Sequence, residues 1–187
     1  MTEDANSTLE RINSLLINNE FENALKLINS SNLSEDIKDE SLGNYYFYKR
    51  DFDNAIHFFK KALETNSNAR LSRYHYLSGI GYERLKKYDD AFAHYVESID
   101  IDPLFVDPYI DLGGMLGKLK EYKKAAKCYR DAIGITPDDI TLYLNLKMIL
   151  QKMDINAIEI QNEIKQIENN IKRLEMLGVN IPTMNSW

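Results

Sequence analysis

A single cysteine, Cys128, leaves this chain of 187 residues unable to close an internal disulfide, and such sparing use fits a reducing compartment. Four prolines and eight glycines are too few for a collagen-like or low-complexity chain, and most sit where helices should end or pack closely. No stretch approaches the roughly 18 apolar residues that span a bilayer, so membrane insertion is not expected. The opening Met-Thr-Glu-Asp is acidic and polar, whereas a secretory leader needs a basic start and an apolar centre. The expected location is therefore cytoplasmic.

Basic residues are scarce in one region. Residues 1–40 hold nine acids and three bases, whereas residues 41–187 hold twenty of each, so the whole net charge of −6 lies at the N-terminal end. An acidic arm repels polyanions, which disfavours nucleic acid and anionic membrane as partners. One basic run, Lys118, Lys120, Lys123, Lys124, Lys127 and Arg130, is interrupted by Glu121. It reads as a solvated outer face or as a contact for an acidic partner.

What the chain does have is a register. Gly79, Tyr88, Ala91, Tyr95 and Pro103 return 34 residues later as Gly113, Tyr122, Ala125, Tyr129 and Pro137. Small and aromatic residues at fixed offsets with that period mark a solenoid of helical hairpins. With 44% hydrophobic residues there is enough apolar surface for a real core. In each hairpin the small residues should let two helices approach, Gly79 opposite Ala91. Tyr88 and Tyr95 should fill the volume between neighbouring hairpins, and Asp89 or Asp90 should cap the second helix. Pro103 should stop that helix from continuing.

The pattern resembles the tetratricopeptide repeat family. Residues 106–139 carry Tyr109, Leu112, Gly113, Leu116, Tyr122, Ala125, Tyr129, Ala132 and Pro137 in the family's signature slots, in order. Residues 72–105 match with Tyr82, Tyr88, Ala91, Tyr95, Ser98 and Pro103. An earlier unit, 36–69, offers Leu42, Gly43, Tyr46, Phe52, Ala55, Phe59 and Ala62, with two extra residues before the next copy. In the first, 5–35, Phe21, Ala24 and Ile28 keep the spacing and the paired glycine is missing. The resemblance implies an all-α, right-handed superhelical solenoid of helix-turn-helix repeats. A further helix would cover 140–153, a long C-terminal capping helix 154–178 and an irregular tail 179–187, which holds Pro182 and Trp187. Ile160, Ile164, Ile167, Ile171 and Leu174 put an apolar stripe on the long helix, and Gly178 is its expected stop. Three uses are open for that stripe: capping the last hairpin, pairing with another chain, or folding into the chain's own groove.

The resemblance also places the first helix of each hairpin on a concave, peptide-binding side. The residues expected to line it are Asn44, Phe47 and Tyr48, followed by Arg73, Tyr76, Ile80, Glu83 and Arg84. Asp107, Ile110, Gly114 and Gly117 continue the face, and Leu144 and Met148 complete it. Gly114 and Gly117 lack side chains and would leave a recess for an apolar anchor. One subclass of the family grips a C-terminal carboxylate with paired Lys and Asn plus a further Lys and Arg. The corresponding places here hold Leu9 with Asn13, Ser41, and Arg73 with Leu77. Asn13 and Arg73 alone fit, so that clamp is not expected.

Chemistry finds no foothold in the sequence. His57 and His94 each lie four residues after an aspartate, Asp53 and Asp90, and read as helix-surface pairs. His75 falls in a slot held by Tyr109 and Tyr143 later and reads as packing. Cys128 has no second cysteine and reads as a small apolar side chain. Gly113, Gly114 and Gly117 lie inside a helix and cannot form a phosphate loop. The expectation is a non-enzymatic adaptor without metal or cofactor, holding a peptide segment of a protein partner. The alternative is a small acidic chaperone for a secreted or aggregation-prone client, which should turn insoluble when made without it. Self-association through residues 155–187 is a further expectation open to test.

Overall fold

The computed structural model describes residues 3–64, 70–153 and 157–179. Pro182 and Trp187 lie outside the described residues. Every regular element among those described is an α-helix, and the chain divides into two compact units, Met1–Pro103 and Leu104–Trp187.

The first unit contains α1 (Glu3–Ile17), α2 (Phe21–Ser30), α3 (Glu35–Tyr48), α4 (Phe52–Glu64), α5 (Leu71–Arg84) and α6 (Tyr88–Ile101). Its N-terminal part packs around Ile12, Leu16, Ala24, Ile28, Leu33, Ile37 and Tyr45. Large side chains against missing ones set the later hairpins. A Cβ added to Gly43 would run into the ring of Phe59, and one added to Gly79 would stand 2.8 Å from the ring of Tyr95. The small residue of α5 therefore receives the aromatic of its own hairpin. Tyr95 fills the space between α5 and α6, not the space between hairpins as the spacing suggested. Gly81 makes a second close approach, to Ile56 of α4, which seats α5 on the preceding hairpin. Ser72 and Ser98 clasp α5 to α6, each hydroxyl donating to the other residue's carbonyl at 2.9 and 2.8 Å.

The second unit contains α7 (Val106–Lys118), α8 (Tyr122–Ile135), α9 (Ile140–Leu150) and α10 (Ile158–Met176). Gly113 meets Tyr129 as Gly79 meets Tyr95, though less tightly, at 3.1 Å from an added Cβ. Six of the eleven residues of α9 are buried, as expected of a helix covered on both sides. Along α10, Ile167 and Leu174 are buried, whereas Ile160, Ile164 and Ile171 are half-buried. This helix packs on α9, and Lys147 of α9 meets Glu168 at 2.6 Å. Arg130 of α8 grips Glu163 through two bonds of 2.7 and 2.8 Å.

Four of the helix ends repeat one closing geometry. Asn19, Arg50, Lys86 and Lys120 adopt φ of 58°, 61°, 60° and 64°. At each, two amides reach back to the last turn; the Lys86 N–H donates to the Glu83 carbonyl and the Lys87 N–H to the Tyr82 carbonyl, both at 2.9 Å. This is the left-handed helix stop that glycine usually supplies. Only α10 ends with the expected residue, Gly178 at φ 82°. Asp89 and Asp90 do not cap α6. They lie in its first turn, where their charge opposes the positive end of the helix dipole. Among the helix starts, Asp139 does cap, accepting from the Thr141 amide at 2.8 Å.

Candidate functional site: the first-helix faces

In the first unit three first helices, α1, α3 and α5, present side chains to one recess of about 320 Å³. Leu9 and Asn13 come from α1, Glu40, Ser41 and Asn44 from α3, and Arg73 from α5 with Arg70 just before it. Glu40 organises the recess. Only 8% exposed, its carboxylate accepts from Arg70 Nη1 at 2.5 Å, from Arg73 Nε at 3.1 Å and from the Tyr74 hydroxyl at 3.4 Å. Burial, then the neighbouring Glu40 charge, pushes the Tyr74 phenol up to about 12. Two guanidiniums on one carboxylate leave one positive charge in surplus, and Asn13, Ser41 and Asn44 add neutral hydrogen-bonding groups. The arrangement favours a partner that offers acceptors.

Of the expected face residues here, Asn44 and Arg73 line this recess. Tyr48, 45% exposed, stands at the end of α3 as an aromatic surface, and Arg84 is exposed at the end of α5. Tyr76 and Ile80 are half-buried, with Tyr76 against Tyr95 at 6.2 Å between ring centres. Phe47 turns toward Phe52, edge to face at 5.4 Å, and so contributes to packing. Glu83 accepts from the Tyr95 hydroxyl at 3.0 Å.

In the second unit Asp107 is exposed, Ile110 half-buried, and Met148 47% exposed. Leu144 opens onto a pocket of about 400 Å³ shared with Lys147 and with Glu168, Ile171, Lys172 and Glu175 of α10. Gly114 is half open, with the Tyr129 hydroxyl 3.6 Å from an added Cβ. Gly117 does not form the expected recess. It is buried under Ile149, whose Cδ1 would lie 2.8 Å from a Cβ.

Sequence reasoning overlooked Glu40 and Arg70. A signal for Glu40 existed: counted back by the repeat offsets, it occupies the slot of Tyr76, Ile110 and Leu144 on later first helices. Arg70 has no such signal. The histidines also differ from expectation, because His94 does not simply pair with Asp90: its Nδ1 lies 3.2 Å from Nδ1 of His75. Cys128 is half-buried, and burial first, then Asp131, pushes its thiol up to about 11, so it is no thiolate at neutral pH. No helix among the described residues is long and apolar enough to cross a membrane.

Hairpins of this size, three of them locked by an aromatic over a glycine and leaving first-helix faces open, define a helical-repeat interaction scaffold. The sequence model for the tetratricopeptide repeat matches residues 41–68 and 106–139. The chain is 27% identical over 105 residues to tetratricopeptide repeat-containing protein trd-1 of Caenorhabditis elegans, a match over 54% of this chain and 13% of that protein. It is 24% identical over 106 residues to serine/threonine-protein phosphatase 5 of Rattus norvegicus, covering 57% of this chain and 20% of the phosphatase. The matches thus span a fifth or less of these curated relatives. Among solved structures, MamA superposes with a TM-score of 0.71 at 16% identity over 89% of this chain and 95% of MamA. The Arabidopsis OM64 TPR domain gives 0.58 at 20% identity, over 64% of this chain and 97% of the domain. Residues 41–68 and 106–139 thus carry the tetratricopeptide repeat in sequence, and the described helices share the fold of these solved repeat structures.

Proposed function

We propose that the chain is an adaptor that holds a peptide segment of a partner protein against its first-helix faces. The observation that carries this reading is the recess of the first unit, where α1, α3 and the start of α5 bring Asn13, Asn44, Arg70 and Arg73 to one opening, while Tyr48 is exposed at the end of α3. Acceptors on the peptide would meet these donors, while Tyr48 and Tyr76 supply apolar contact. A carboxylate grip of the chaperone-tail type is disfavoured because Glu40 already occupies both guanidiniums. In the second unit Ile110, Leu144 and Met148 offer the apolar counterpart.

The test is affinity capture from native lysate by wild type and by a variant carrying Tyr48→Ala, Tyr76→Ala and Ile110→Ala, with circular dichroism first confirming the fold. We expect a protein retained by wild type and lost by the variant. Equal retention by both would move binding away from these faces.

A further inference from the structure

His75 on α5 and His94 on α6 meet across one hairpin, and their geometry is informative. Their Nδ1 atoms are 3.2 Å apart and their ring centres 5.1 Å apart, with ring planes at 36°. A head-on N–H···N bond of that length would place the centres about 5.5 Å apart, since each lies about 1.1–1.2 Å behind its nitrogen. Imidazole nitrogens bind zinc at about 2.0–2.1 Å, so two nitrogens on one ion stand about 2.9 Å apart at a right angle and about 3.3 Å apart at a tetrahedral one. Rings aimed at such an ion have centres about 5 Å apart. The observed separations, which a bent N–H···N bond between the tilted rings accounts for, are also those of two nitrogens aimed at one ion, so little movement would be needed to admit one.

We propose that His75 and His94 form a two-imidazole site for a divalent transition ion of the kind that prefers nitrogen ligands, Zn²⁺, Ni²⁺ or Cu²⁺, with water completing the coordination. The setting supports it. The ring of Tyr82 stacks on His94 at 5.2 Å and 28°, which restrains its plane. Asp90 and Glu97 supply negative charge near His94 and His75, and Lys60 opposes them at His94. Burial keeps both imidazoles neutral, His94 down to about pH 4, so their lone pairs are available at pH 7. The proton now shared between the two Nδ1 atoms moves to Nε2 by tautomer exchange as the ion enters, and no net proton is released. Among the described residues no group of three or more His, Cys, Asp or Glu gathers to hold a metal, so this is a two-ligand site of moderate affinity. It stands independently of the peptide-binding reading.

The test titrates the full chain with ZnCl₂ by calorimetry and with CuSO₄ by electron paramagnetic resonance. One Zn²⁺ per chain should bind, and the Cu²⁺ spectrum should show splitting from two nitrogens. His75→Gln and His94→Gln should each weaken Zn²⁺ binding at least about tenfold, and Zn²⁺ should raise the melting temperature of wild type alone. Binding unchanged in both variants would place the ion elsewhere, at His57 or Cys128 for example, and overturn the proposal. Absence of any Zn²⁺ heat and of nitrogen splitting would overturn it equally, leaving an ordinary histidine pair. Should a glutamine variant fail to fold, His75→Tyr, which introduces the residue found in this slot at Tyr109 and Tyr143, replaces it in the same titrations and should lose the two-nitrogen splitting.

Discussion

The hairpins α5–α6 and α7–α8 share one frame and differ in how it is finished. In each, a glycine of the first helix receives an aromatic of the second, Gly79 under Tyr95 and Gly113 under Tyr129. The Tyr95 hydroxyl donates to Glu83. Thirty-four residues later the Glu83 slot is Gly117, so Tyr129, 3% exposed, lacks the carboxylate that Glu83 offers to Tyr95. Ile149 explains the difference. Its Cδ1 lies close to where any side chain on Gly117 would begin, so the slot that holds a glutamate in one hairpin is filled by α9 in the other. Spacing dictates the frame, while the neighbouring helix dictates its polar finish.

The largest effect should come from the first-helix slot that is charged in the first unit and apolar in the second. Glu40→Ala leaves Arg70, Arg73 and Tyr74 without their shared acceptor and should cost about 2–3 kcal/mol, less than a fully buried pair because Arg73 is largely exposed. Ile110→Leu, a volume-conserving change in the matching slot, should cost under about 1 kcal/mol. Urea denaturation of both variants checks this, and a loss at Ile110 as large as at Glu40 would contradict it.

Next come the glycines. Gly79→Ala forces a methyl to 2.8 Å from the Tyr95 ring and should destabilise by about 1–2 kcal/mol, despite the gain in helix propensity. Gly113→Ala, at 3.1 Å from the Tyr129 ring, should cost less than half as much because the helix gain nearly offsets the contact. Thermal melts that reversed this order would show that Tyr95 yields more readily than Tyr129.

The tyrosines separate the hairpins more finely. Tyr95→Phe removes a bond to a carboxylate and should cost about 1–1.5 kcal/mol; Tyr129→Phe, where Gly117 stands in the Glu83 slot, should stay within about 0.5 kcal/mol of wild type. Measuring Tyr95→Phe again in a Glu83→Gln background would show whether the coupling belongs to that pair. The smallest change is expected at the turns, where Lys86→Gly and Lys120→Gly should each stabilise by about 0.5–1 kcal/mol by relieving a left-handed residue. Destabilisation at both sites in calorimetry would refute that.

The all-helical class and the repeat were legible in the chain because the evidence for them is spacing. A 34-residue return of glycine, alanine, tyrosine and proline survives any detail of side-chain orientation. The candidate face was legible only by position: Asn44 and Arg73 line the recess, but Phe47 packs on Phe52 and Gly117 lies under Ile149. Counting slots could have added Glu40. Nothing local could have added Arg70, or the left-handed turns at Arg50, Lys86 and Lys120, where the expected glycine is absent.

The sequence by itself thus determined which residues are small, which are large and how far apart they recur, and so the helical-repeat fold. Tertiary structure alone decided that two arginines close on Glu40, that His75 meets His94 and that Ile149 covers Gly117. The reason is physical. Helix register is set by covalent spacing along one segment, whereas ion pairs, paired imidazoles and covered recesses depend on which side chains of separate helices come within a few ångströms.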